Sequence, residues 1–247
     1  MCKISRMSKN NSVNIIKSPI AVFTFGRFQP PTSGHKLLID AVSRIAEENG
    51  GDGYIFVSSK QNYAGHKNVQ AITRNMKKAG NFTSTGNNEN PLSVDVKMTY
   101  LNKMYPSDER DIRFINTTKG DCRTVPSVFQ KLFDAGYTKV IMVVGSDRVE
   151  SFSKSFSRAN NSVRVVSAGE RNLENESSND PTKMSGTKMR KAALRGDVDF
   201  FGRGVKIGSM TDRDVIDLMN LVRAGLGFPP FERKGGKRRN TRKHPKI

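Results

Sequence analysis

Five short apolar runs, rich in β-branched and aromatic residues, recur along the chain between longer polar segments. Strands inside a parallel sheet are apolar on both faces, so each run is predicted to be a buried strand. The runs are residues 20–25, 54–57, 112–115, 139–144 and 163–166.

Apolar residues at helical spacing fill several of the segments between these runs. Helices are predicted near 35–48, 90–104, 125–135, 148–156, from 185 onward, and at 212–224. Strands that alternate with helices predict an α/β protein with a doubly wound, five-stranded parallel sheet of Rossmann-like type. The last helix is expected to pack on an edge of this sheet, and residues 199–209 are interpreted as a connection.

The helix at 90–104 is predicted to begin at Asn90-Pro91-Leu92-Ser93 and to run to about Met104. Its residues at helical spacing are Leu92, Val96, Thr99, Tyr100 and Lys103. Before it lies a long polar stretch, residues 62–90, with one helix-like piece at 69–78; loops of this length are usually functional or disordered.

Charge is concentrated at both ends of the chain. Of the net charge of +19, residues 1–19 carry +4 and residues 232–247 carry +7. Both segments are basic and polar, so they are predicted to be disordered and to flank one folded domain at 20–231. The C-terminal tail could contact nucleic acid, direct nuclear import or only aid solubility.

Cysteine usage and hydropathy indicate the cellular setting. Cys2 and Cys122 match neither a disulfide framework nor a zinc-ligand spacing. No run of about 18 apolar residues is present, so no membrane span is expected. Residues 1–19 lack the apolar region of a secretory signal. An intracellular protein is expected, cytoplasmic unless the tail directs it to the nucleus.

A phosphate-binding turn is predicted between the first strand and the first helix, at residues 26–35, which we call the first motif. Gly26 permits a sharp exit from the strand, and the two prolines that follow cannot continue a strand or a helix. Thr32 or Ser33 can cap the helix, and His35 lies in its first turn. A helix N-terminus offers unpaired N–H groups and partial positive charge, which favour a phosphate.

A second segment of this kind lies at residues 184–191, which we call the second motif, about 150 residues further on. Ser185 is a predicted helix cap and Thr187 lies in the first turn, so their hydroxyls can bond phosphate oxygens. Arg190, three residues beyond Thr187, can hold a second phosphate with its planar guanidinium. Ser-Gly-Thr alone is an ordinary cap, and it is the pairing with the first motif that favours a function.

The first motif, G-R-F-Q-P-P-T-S-G-H, resembles the signature of nucleotidyltransferases that carry (H/T)-x-G-H. The likeness is strongest to archaeal-type nicotinamide-mononucleotide adenylyltransferases, in which the signature reads G-R-F-Q-P-F-H-x-G-H. Thr32 stands in the place of the first His, as in other, cytidylyltransferase-like branches of the superfamily. The second motif resembles the superfamily's S-[ST/G]-T-x-x-R through Ser185, Gly186, Thr187 and Arg190.

This resemblance implies the strand order 3-2-1-4-5 and transfer of an adenylyl group from ATP to a phosphate-bearing acceptor such as nicotinamide mononucleotide, with release of pyrophosphate. Mg²⁺ would arrive bound to the ATP phosphates. His35, Thr32 and Arg190 would be catalytic, with His35 and Thr32 on the α- and β-phosphates. Further nucleotide or acceptor contacts would come from Gly26, Arg27, Gln29, Gly34, Gln61, Asn90, Asp147, Ser185, Gly186 and Thr187.

Some of these positions leave alternatives open. Asn90 could be only a helix cap, and Asp147 could be the N-cap of the helix at 148–156. The family also has Glu-Arg where this chain has Val96-Lys97, and a shorter gap between Gln61 and Asn90. The alternative functions are a cytidylyltransferase with another phosphorylated acceptor, and a catalytically silent nucleotide-binding protein that acts through its basic tail.

Overall fold

Five strands form one parallel sheet in the computed structural model, which describes residues 19–61, 90–106, 111–118, 122–156, 162–169, 180 and 183–231. Their spatial order is β3-β2-β1-β4-β5, and all neighbours pair parallel. The predicted doubly wound sheet and its strand order are therefore confirmed. The strands are β1 (Ile20–Gly26), β2 (Asp52–Val57), β3 (Ile112–Asn116), β4 (Lys139–Val144) and β5 (Val163–Ser167).

Helices connect the strands and cover both faces of the sheet. A turn of 3-10 helix precedes α1 at Ser33–His35, and another precedes α4 at Ser146–Arg148. The α-helices are α1 (Lys36–Glu48), α2 (Val94–Met104), α3 (Val125–Asp134), α4 (Val149–Phe156), α5 (Gly186–Arg195), α6 (Val198–Val205) and α7 (Asp212–Gly225).

Each face of the sheet has its own apolar core. Val22 and Ile55 face a core that is completed by α1, α2, α5, α6 and α7. Phe23 and Phe56, the next residues along the same strands, face a second core that is completed by α3 and α4. Because successive strand residues point to opposite faces, both faces must be apolar, which explains the uninterrupted apolar runs in the sequence.

Helix α6 corrects the interpretation of residues 199–209 as a connection. The side chain of Asp197 caps this helix by accepting a hydrogen bond from the Phe200 N–H at 3.0 Å. Phe201 and Val205, four residues apart, are buried against the neighbouring helices. Two glycines interrupt the short apolar pattern, and this obscured the helix in the sequence.

Helix α7 also lies elsewhere than expected. It packs on α5 and α6 rather than on an edge of the sheet. A Cβ added to its last residue, Gly225, would lie 2.1 Å from the carbonyl oxygen of Pro91, so the helix end touches the segment before α2. Its buried side chains, Val215, Leu218, Met219 and Val222, lie at helical spacing.

Several predictions fall outside the described residues. These are the disorder of residues 1–18 and 232–247, the long loop at 62–89 and its helix-like piece at 69–78. Within the described ranges, no helix has the length and hydropathy needed to cross a membrane.

Candidate active site

The two motifs lie against each other beyond the carboxyl end of β1. The Thr32 hydroxyl donates a hydrogen bond to the carbonyl oxygen of Met184 at 2.9 Å. The Arg190 Nη1 donates to the carbonyl oxygen of Gln29 at 2.5 Å. A Cβ added to Gly186 would lie 2.6 Å from that same oxygen, so this close approach of the two backbones requires glycine. Two segments about 150 residues apart in sequence thus form one surface.

The geometry of the first motif fixes the tautomer of His35. The Thr32 N–H donates to His35 Nδ1 at 3.0 Å, and the His35 N–H donates back to the Thr32 carbonyl at 3.0 Å. A ring nitrogen that accepts a hydrogen bond carries no proton, so the neutral imidazole is protonated on Nε2. The ring also packs on Phe28, with 4.8 Å between centroids. His35 therefore has a donor on the side of the ring opposite Thr32.

Thr32 is buried and anchors this turn. It has no exposed surface, and its hydroxyl lies 2.9 Å from His35 Nδ1 as well as donating to Met184. Its carbonyl accepts a further hydrogen bond from the Tyr105 hydroxyl at 2.6 Å. The hydroxyl of Thr32 thus points at protein atoms, and Thr32 can act on a ligand through the orientation of His35.

The backbone of the first motif takes an unusual path at Phe28. Its φ of 49° lies in the left-handed region, which non-glycine residues seldom adopt and which often occurs at functional sites. A Cβ added to Gly26 would lie 2.5 Å from the Phe28 ring, so glycine at that position lets the ring pack inward. The side chain of Arg27, between them, is exposed, and Gly34 is buried in the turn that follows.

Gln29 links the first motif to the segment before α2. Its Nε2 donates to the carbonyl oxygens of Leu92 at 2.8 Å and Lys60 at 3.3 Å, and its Oε1 accepts from the Leu92 N–H at 2.9 Å. Gln61 is exposed and donates from Nε2 to the Pro91 carbonyl at 3.3 Å. The first motif, the end of β2 and the start of α2 are therefore joined through amide side chains.

Asn90 lies next to this junction and is not a helix cap. Ser93 is the N-cap of α2, where its hydroxyl accepts from the Val96 N–H at 3.4 Å. Asn90 is buried, and its Oδ1 has no hydrogen-bond partner in the part of the chain that the structure describes. An unpaired buried acceptor costs free energy, so it calls for an explanation.

The second motif begins α5 as expected. Ser185 is the N-cap, and its hydroxyl accepts from the Lys188 N–H at 3.3 Å. Thr187 is exposed, and its hydroxyl accepts a hydrogen bond from Arg190 Nη2 at 3.1 Å. Arg190 thus bonds both motifs at once, with one nitrogen on each.

Asp147 lies at the carboxyl end of β4, inside the 3-10 turn that precedes α4. Gly145 is the N-cap of that turn, so the interpretation of Asp147 as a helix cap is wrong. Its side chain is 72% exposed and lies 3.8 Å from the Arg148 guanidinium. None of its contacts described in the structure reaches either motif.

Lys97 lies on the buried face of α2, although it is not among the residues at helical spacing in the sequence. That face is formed by Val94, Lys97, Tyr100, Leu101 and Met104, and it shares Tyr100 alone with the expected set. Lys97 Nζ donates to the carbonyl oxygen of Arg27 at 3.1 Å and to that of Ser58. Burial lowers the pKa of Lys97 to about 8. The resemblance gave one indication for this position, because the family that the motifs resemble has an arginine there.

The polar side chains of the two motifs suit phosphate oxygens. They are an imidazole N–H, hydroxyls and guanidinium groups, which donate hydrogen bonds or carry positive charge. Among the described residues, no group of three or more His, Cys, Asp or Glu side chains lies close enough to hold a metal ion.

The chain was compared with known proteins by sequence and by structure. No protein-family model matches the chain, and no curated protein matches its sequence. Among solved structures, the chain is similar to a protein from Vibrio parahaemolyticus that is provisionally assigned as a nicotinate-nucleotide adenylyltransferase. The match covers 72% of this chain and 88% of that chain, with 15% identity and a TM-score of 0.43. At that level of similarity the likeness carries no argument about the function of this chain.

Proposed function

We propose that this protein transfers a nucleotidyl group from a nucleoside triphosphate to a phosphate-bearing acceptor and releases pyrophosphate. The observation that carries the proposal is the contact between the two motifs. It brings a helix N-terminus, an oriented imidazole and a guanidinium to one surface at the carboxyl end of β1, which is where ligands bind in open α/β sheets.

The reaction in this proposal needs no covalent bond to the protein. An oxygen of the acceptor phosphate attacks the α-phosphorus of the nucleotide in line, and the bond from that phosphorus to the bridging oxygen of the β-phosphate breaks. Pyrophosphate leaves with the electron pair of that bond. Catalysis then consists of positioning and of neutralising charge, and Mg²⁺ enters with the triphosphate as part of the substrate.

In this proposal His35 donates a hydrogen bond from Nε2 to the α- or β-phosphate. Its orientation comes from Thr32, whose N–H holds Nδ1 as an acceptor. Thr32 is accordingly assigned to positioning His35 rather than to direct contact with phosphate. A donor aimed at charge that grows in the transition state is worth about 10²–10³ in rate.

Arg190 and Arg27 are proposed to balance the charge of the triphosphate. Arg190 is held by its bonds to Gln29 and Thr187, which orient the guanidinium before a ligand arrives. The hydroxyls of Ser185 and Thr187, with the free amides at the start of α5, would contact phosphate oxygens. The leaving pyrophosphate is expected to lie at this second motif.

ATP is the proposed nucleotide, and nicotinamide mononucleotide or nicotinate mononucleotide is the acceptor to test first. CTP with a different phosphorylated acceptor is the second candidate, because Thr32 replaces the first His of the adenylyltransferase signature. Gln61, Asn90 and Asp147 are proposed to contact the nucleoside or the acceptor. For Asn90 the support is its buried Oδ1, which has no hydrogen-bond partner among the described residues.

The test is pyrophosphate release from ATP and from CTP, each with a panel of phosphate monoesters that includes both mononucleotides. Acceptor-dependent release from ATP would support the adenylyltransferase, and release from CTP alone would favour the second candidate. Tight binding without turnover for any acceptor would indicate a silent nucleotide-binding protein. Calorimetry that detects binding of neither nucleotide with Mg²⁺ would contradict the proposal as a whole.

A further inference from the structure

A lysine is buried beneath the first motif without a carboxylate. Lys97 has no exposed surface, and no acidic side chain lies within ion-pair distance of its Nζ in the described ranges. Its hydrogen bonds go to the backbone carbonyls of Arg27 and Ser58. Burying a charge is costly unless it is paired, and the burial already lowers the pKa of this side chain to about 8. The free-energy cost of burying Lys97 therefore suggests that this side chain has a function that offsets the cost.

The two carbonyls that Lys97 holds belong to the ends of β1 and β2. The Ser58 N–H also donates to the Gly26 carbonyl at 2.9 Å, so the two strand ends are joined at this point. Lys97 adds two further hydrogen bonds from α2, one to each strand end, where the chain leaves the sheet to form the first motif.

The direction of the Arg27 carbonyl determines the direction of the next amide. In a trans peptide the C=O and the following N–H point in opposite directions. Because the Arg27 carbonyl points at the buried ammonium, the Phe28 N–H points away from it. That N–H has no hydrogen-bond partner among the described residues. The left-handed φ of Phe28 is part of the same local conformation.

We propose that Lys97 is a positioning residue of the nucleotide site: by holding the Arg27 carbonyl inward, it keeps the Phe28 N–H directed at the phosphates of the bound nucleoside triphosphate. The negative charge of those phosphates would also supply the counter-charge that Lys97 does not receive from the described acidic side chains. This inference rests on the proposed function, because it requires a triphosphate at the first motif.

The experiment compares the wild type with Lys97→Met, Lys97→Arg and Lys103→Met. The last is a matched control, because Lys103 lies on the same helix but is partly exposed and paired with Asp214. Samples carry ¹⁵N-labelled phenylalanine, and Phe28→Leu assigns the Phe28 amide signal. Each protein is titrated with MgATP and with MgCTP, its fold is checked by circular dichroism, and pyrophosphate release is measured with the best acceptor.

We expect the triphosphate to shift the Phe28 amide signal in the wild type and in Lys103→Met. In Lys97→Met this shift should be lost and kcat should fall about 10²-fold, as for a site displaced by about 1 Å. Lys97→Arg should restore part of both, because it can still donate to the two carbonyls. Methionine is close to lysine in volume, and replacing a buried charge by an apolar side chain is often tolerated.

The outcomes separate the two proposals. If the wild type binds the triphosphate and the Phe28 amide does not respond, the inference is wrong while the proposed function stands. This result does not depend on the folding of any Lys97 variant. It is also overturned if Lys97→Met matches Lys103→Met in kcat and in the Phe28 shift. If the wild type binds neither nucleotide, the proposed function is wrong. The inference is then wrong as well, because it requires a bound triphosphate.

Discussion

The two ends of β2 carry buried polar groups of opposite character. At its beginning, the Tyr54 and Tyr137 hydroxyls lie 2.7 Å apart, and Tyr137 donates to Asp52 at 2.5 Å. Burial raises the pKa of both tyrosines, so they stay neutral and the cluster satisfies itself. After its end, Lys97 is a buried cation whose partners among the described residues are backbone carbonyls.

We interpret the first group as a structural polar cluster and the second as part of the proposed nucleotide site. A polar group whose hydrogen-bond partners all belong to the protein needs no ligand. Removing it lowers the free energy of unfolding. A buried charge without an opposite charge costs free energy that a bound anion can offset. The end of β2 with the unbalanced charge is also the end at which the two motifs meet. The predictions below test this contrast, from the largest expected effect to the smallest.

The largest effect is expected at His35. His35→Ala removes the proposed donor to phosphate, so kcat should fall about 10²–10³-fold while the fold is retained. Pyrophosphate release measures the loss, and circular dichroism checks the fold. His244→Ala is the matched control, because that histidine lies in the tail. A rate near that of the wild type would make His35 a structural residue.

A smaller loss is expected at Arg190. Arg190→Lys keeps the charge but loses the planar geometry that bonds Gln29 and Thr187 together, so kcat should fall about 10-fold. Arg190→Ala should cost about 10²-fold. Lys191→Ala, on the exposed next residue, is the control. Equal rates for the lysine variant and the wild type would show that charge alone is required.

At the other end of β2 the effect should fall on stability alone. Tyr137→Phe removes the hydroxyl between Tyr54 and Asp52, which should lower the free energy of unfolding by about 1–3 kcal/mol. Urea denaturation measures the change. The rate of pyrophosphate release per folded molecule should equal that of the wild type, and a clear drop would mean that the two ends of β2 are not independent.

The smallest effect on turnover is expected from the tail. Deletion of residues 233–247 removes much of the net positive charge, so any affinity for DNA or RNA should weaken, and more so at low salt. Pyrophosphate release should not change. A truncated protein that loses turnover would place the tail in the active site.

The sheet and the two motifs could be predicted because their signals are local and strong. A strand that is buried on both faces must be apolar at every position, as in Val22 and Phe23, and glycine and proline mark the turn after β1. Which side of a short helix is buried depends on its neighbours, which the sequence does not reveal. For α2, the set at helical spacing in the sequence contained Lys103 and not Lys97, whereas the structure buries Lys97 and leaves Lys103 partly exposed.

The roles within the first motif were harder to predict for the same reason. The spacing of Thr32 and His35 indicates a helix start, but not that the threonine hydroxyl points at the Met184 carbonyl. That bond depends on the position of a segment about 150 residues away. Likewise, the resemblance implies that Gln29 contacts a ligand. In the structure its side-chain amide forms hydrogen bonds with the backbone of Leu92.

The contact between Gly225 and Pro91 sets a practical limit on how far the chain can be shortened. Pro91 lies between Asn90 and Leu92, and Leu92 is bonded to Gln29 in the first motif. The end of α7 therefore supports the proposed nucleotide site from behind, through its contact with Pro91. An expression fragment that stopped short of residue 225 would keep both motifs yet remove this support, so a crystallisable minimal version should extend through residue 231.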